Sequence, residues 1–74
     1  MGITESTIIR VLESGDRNKI NNLIDKMIKL CGFTREDAAF MLQKQWRELS
    51  IKNINSFDYL EEIRYDEMSF DKEW

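Results

Sequence analysis

The chain has no histidine, no proline and one cysteine in 74 residues. Without histidine there is no Ser-His or Cys-His pair to activate a nucleophile, and no imidazole to hold a metal. A lone cysteine, Cys31, cannot form an intramolecular disulfide, and the Cys/His sets of zinc sites are missing. Three scattered glycines do not make a phosphate-cradling loop, and no Asp-rich calcium loop with a central glycine is present. The adjacent acids Glu36-Asp37 and Glu61-Glu62 would point about 100° apart on a helix, so neither pair is a local carboxylate dyad. The expectation is a non-enzymatic protein with no catalytic residue, no metal and no cofactor. Cys31 is expected as a packed or half-buried structural thiol, because a helix C-terminus opposes a thiolate.

Long apolar runs are also missing. Nothing approaches the roughly 20 residues of a membrane span, and no charged segment leads into an apolar signal-peptide core. A cytoplasmic location with no membrane contact is expected. The start Met1-Gly2-Ile3-Thr4-Glu5-Ser6 fits the loose N-myristoylation pattern, but no basic patch supplies a second anchor, so it is read as an ordinary start. The net charge of −3 gives no overall attraction to nucleic acid. One domain of this size buries a small core and usually needs a supplement. Disulfide and metal being excluded, self-association or a protein partner is expected to supply it.

What is present is helical periodicity. Four segments read as helices, and no hairpin signal or sustained β-branched alternation appears. The first spans about Thr4 to Ser14, capped by Thr4, stapled by Ile3 and Ile8, and stopped by Gly15. The second spans about Asp16 to Cys31, with Ile20, Leu23, Ile24, Met27, Leu30 and Cys31 on its apolar stripe. The third spans about Thr34 to Ser50, capped by Thr34, with Ala38, Met41, Leu42, Trp46 and Leu49 inward. Trp46 is expected as the central anchor. After a linker at Ile51–Asn55, Asn55 is expected to cap a fourth helix with Phe57, Leu60 and Ile63 as its apolar face. The fold class is therefore all-α: a small bundle of three to four helices with a central antiparallel helical hairpin.

Two families share features with the junction Leu30-Cys31-Gly32-Phe33-Thr34-Arg35-Glu36-Asp37. Leu23–Leu42 loosely resembles a DNA-binding helix-turn-helix, with Gly32 as turn glycine, Phe33 after it, and Ala38 and Met41 at apolar positions. That resemblance implies a dimeric DNA-binding regulator contacting DNA through Arg35, Gln43, Lys44 and Arg47. Ile28 departs from it where a small residue is wanted, and Glu36 and Asp37 would meet phosphates. The stretch Cys31-Gly32-Phe33, then Arg35-Glu36-Asp37-Ala38, then Phe57-Asp58-Tyr59-Leu60, also resembles the ubiquitin-associated type of three-helix bundle. Cys31 stands there in place of the family's methionine, and the second helix is several residues longer.

Charge divides unevenly. Residues 1–56 hold nine Lys/Arg and seven Asp/Glu, whereas residues 57–74 hold two and seven. This end is also aromatic. On a helix, Asp58, Glu62 and Asp66 form a row at i, i+4 spacing that could engage a basic surface. The division expected is a helical bundle over residues 1–65 and an acidic, aromatic tail over residues 66–74. The partner-binding residues expected are Asp58, Tyr59, Glu62, Tyr65, Asp66, Phe70 and Trp74. The functional expectation is a small regulatory or inhibitory protein that binds a partner protein, with a basic surface as the kind of partner the acidic row would suit. A homo-oligomer is expected, and nucleic acid is the lesser alternative. The Ile/Lys/Asn-rich composition suits a bacterial or phage gene.

Overall fold

The computed structural model describes residues 3–68, and the side chains of residues 3–65. Four helices follow one another: α1 (Glu5–Ser14), α2 (Arg17–Cys31), α3 (Arg35–Glu48) and α4 (Ile54–Met68). They form the expected all-α bundle. Leu12, Ile20, Ile24, Leu42 and Leu60 are fully buried at its centre, with Leu23, Met27, Ala38, Ala39, Ile51 and Ile63 around them. Each large aliphatic chain withdrawn from water in this way contributes about 1.5–3 kcal/mol.

Helix starts and stops follow local chemistry. Thr4, Asp16 and Thr34 each accept a hydrogen bond from a first-turn amide: Thr7 N, Asn18 N and Asp37 N respectively. Gly15 and Gly32 are left-handed, with φ of 67° and 74°, and close α1 and α2. The end of α3 is different. Ser50 takes the left-handed conformation at φ 57°. Its amide donates to Arg47 O, and the next amide, Ile51 N, donates to Trp46 O. That is a Schellman closure with serine where glycine is usual, and the buried Ile51 supplies its apolar contact.

Several expectations are corrected. Asn53, not Asn55, caps α4: the Asn53 carboxamide oxygen accepts from Asn55 N at 3.1 Å. The register is chosen by what else Asn53 does. Its side-chain amide donates to Glu13 O at 2.9 Å, and its carbonyl accepts from the Trp46 indole at 3.0 Å. Together with Ser56 Oγ on Leu12 O and Ser14 Oγ on Val11 O, this satisfies three of the last four carbonyls of α1. The start of α4 thus caps the end of α1.

Trp46 is half-buried at the edge rather than central, because its N–H needs a polar partner and finds the Asn53 carbonyl there. Leu30 is 59% exposed and Cys31 is exposed, since the buried positions of α2 end at Met27, one turn before the helix does. The inward positions of α4 are Ser56, Leu60 and Ile63, with Phe57 half-buried at the flank.

Candidate protein-binding surface

The most extensive helix pairing is between α3 and α4. It is antiparallel, since cross-contacts fall along α4 as they rise along α3. The Arg64 guanidinium sits 5.1 Å from the Phe40 ring centroid, Gln43 bonds Glu61, and Arg47 sits 5.4 Å from the Phe57 ring. Beyond them, the Phe57 and Trp46 rings meet at 4.8 Å with a 53° tilt.

A polar network crosses this seam. Gln43 is 4% exposed, and its amide donates to the Glu61 carboxylate and to Phe57 O. Its carbonyl oxygen accepts from Arg64 at 2.6 Å. A buried amide between two ions is stable only while all its partners are present. The hydrogen bond from Gln43 holds the Glu61 carboxyl below its ordinary 4.5, against the opposing effect of partial burial. The Tyr65 hydroxyl and the charges of Arg64 and Arg47 act in the same direction as Gln43. The Arg64 Nε is buried without a hydrogen-bond partner.

On the outer side of α4, Asp58, Glu61, Glu62 and Tyr65 line a shallow, open depression of about 440 Å³. Helical spacing of three and four brings these residues onto one face. Of the expected partner-binding residues, Asp58, Glu62 and Tyr65 are exposed there, and Tyr59 is half-buried. Glu62 pairs with Arg17 of α2 at 3.1 Å, and Arg17 also lies 5.0 Å from the Tyr59 ring. This side of the acidic row is therefore partly neutralised by a residue 45 positions away, for which no local signal exists. Asp66 lies on α4, whose backbone continues through Met68, past the 65/66 boundary drawn from sequence. Phe70 and Trp74 lie outside the described residues.

Beside this face runs a groove of about 260 Å³, lined by Phe40, Gln43, Lys44, Arg47, Glu48 and Arg64. It collects three cations against one acid. Of the expected DNA contacts, Lys44 and Arg47 are exposed here. Gln43 is committed to the seam, and the half-buried Arg35 donates to Asn21 of α2 at 2.8 Å. Glu61 and Arg64, absent from both sets of expected residues, join the two faces. The spacing of Glu61 from Asp58 and Tyr65 carried a signal for it; nothing local marked Arg64.

Among the described residues no group of three or more His, Cys, Asp or Glu could hold a metal ion. None of the helices described is long and apolar enough to cross a membrane. No protein-family model matches the chain, and neither curated proteins nor solved structures give a match.

Proposed function

We propose that this chain is a non-enzymatic protein-binding module, a small cytoplasmic regulator or inhibitor of bacterial or phage type, which docks a basic protein surface on the outer face of α4. One observation carries this reading: Asp58, Glu61, Glu62 and Tyr65 share a single exposed depression, with Glu61 held toward its ionised form. A tyrosine amid carboxylates offers apolar area together with charge complementarity, the combination that gives anchor and specificity at interfaces.

The test is calorimetric titration of the chain with a lysine- and arginine-rich peptide. Binding that weakens with salt and is lost in Asp58→Lys/Glu62→Lys supports the reading. Equal binding by that variant sinks it. A second reading, the dimeric helix-turn-helix DNA-binding regulator, draws on the exposure of Lys44 and Arg47 beside Phe40. It requires a gel shift at low salt that Lys44→Glu/Arg47→Glu abolishes.

A further inference from the structure

Among the described residues, four large apolar side chains are more than half exposed: Leu30, Phe40, Ile54 and Tyr65. Three of them belong to α3 and α4. Ile54, Asp58, Glu61 and Tyr65 recur at intervals of four, three and four, so they form one outer stripe along α4. Phe40, Lys44 and Arg47 form the matching stripe of α3, at the same spacing. The outward side of this helix pair is thus apolar at its ends and charged between, with cations on α3 and acids on α4.

The antiparallel pairing sets these stripes level with each other. Phe40 lies level with Arg64 and Tyr65, and Gln43-Lys44 with Glu61. Arg47 lies level with Phe57-Asp58. A two-fold axis parallel to the helices, above the seam, would exchange α3 and α4 while keeping every residue at its level. Phe40 of one copy would then cover Tyr65 of the other. Lys44 and Arg47 would cover Glu61 and Asp58, and the same contacts would repeat by symmetry. A face that is complementary to itself under this operation meets the condition for an isologous dimer.

We propose that the basic surface docked by the α4 face is the α3 face of a second copy of this chain, giving a two-fold dimer through the α3–α4 seam. This rests on the binding role assigned above to the α4 face and names its partner. Charge complementarity favours this occupant, and the domain's small size favours gaining buried area from a like chain.

The test is sedimentation equilibrium of the full chain at low salt, with Arg47→Glu, Asp58→Lys and the combined R47E/D58K, which exchanges the charges of a pair that faces itself across the axis. Both residues are exposed, and circular dichroism of each variant is the control for folding. The wild type should dimerise. Each single reversal sets like charges face to face twice and should weaken the dimer at least about tenfold, and the combined swap should restore most of it. A wild-type chain that stays monomeric at its highest attainable concentration overturns the proposal. So does a dimer indifferent to either reversal, or one that the swap fails to restore. If the chain is monomeric yet still binds the basic peptide through Asp58 and Glu62, the docking face stands and only its occupant is wrong. If it does neither, the binding role of that face falls as well.

Discussion

The Arg64 guanidinium donates to the Gln43 carbonyl oxygen at 2.6 Å, and the amide of the same side chain donates to Glu61. One buried amide thus holds a cation and an anion at the junction of two surfaces of opposite charge. Replacing it breaks both bonds at once. Gln43→Ala should destabilise the fold by about 1–3 kcal/mol, read as a lower urea midpoint at neutral pH. Loss below about 0.5 kcal/mol would show the network to be solvated.

The same contact predicts a pH dependence. Glu61 titrates below its ordinary 4.5 in the folded chain. Its contribution to stability is therefore complete above 4.5 and is lost as pH falls through the lower folded value. In Gln43→Leu, the main cause of that depression is gone. NMR titration of the Glu61 carboxyl should then show its midpoint moving up toward 4.5.

The two left-handed glycines should differ. A Cβ at Gly15 would lie 2.6 Å from the Asn53 side chain, whereas one at Gly32 meets nothing within 4 Å. Gly32→Ala should cost only the left-handed penalty of about 1–2 kcal/mol. Gly15→Ala carries that penalty and also displaces Asn53 from Glu13 O and from Asn55 N. Thermal denaturation should show a clearly larger loss for Gly15→Ala.

Ser50 offers the opposite sign. It holds φ 57° without being glycine. Ser50→Gly should raise stability by about 0.5–1 kcal/mol in chemical denaturation, because glycine adopts this conformation without the Cβ penalty. An unchanged or lower midpoint would mean that the serine side chain compensates locally.

These residues also show how far the sequence could be read. Thr4, Asp16 and Thr34 as caps, and Gly15 and Gly32 as stops, are local signals, and each does what its chemistry predicts. Reading failed where long-range contacts decide. Asn53 and Asn55 are equally good caps locally; Glu13 O and the Trp46 indole choose between them. Gln43 lies between the apolar stripe and the exposed side of α3, and only the approach of α4 shows that it turns inward. Arg17 reaches Glu62 across 45 residues of chain. The acidic character of α4 was legible in composition. The groove of Lys44, Arg47 and Arg64 beside it was not, because it is assembled from two helices.

The binding role of the α4 face is tested most directly by mapping, by amide chemical shifts, where a lysine- and arginine-rich peptide contacts the chain. Shifts concentrated at Asp58, Glu61, Glu62 and Tyr65, and reduced by salt, are expected. Shifts centred on Leu30 and the end of α2, or no saturable shifts at low salt, would contradict it.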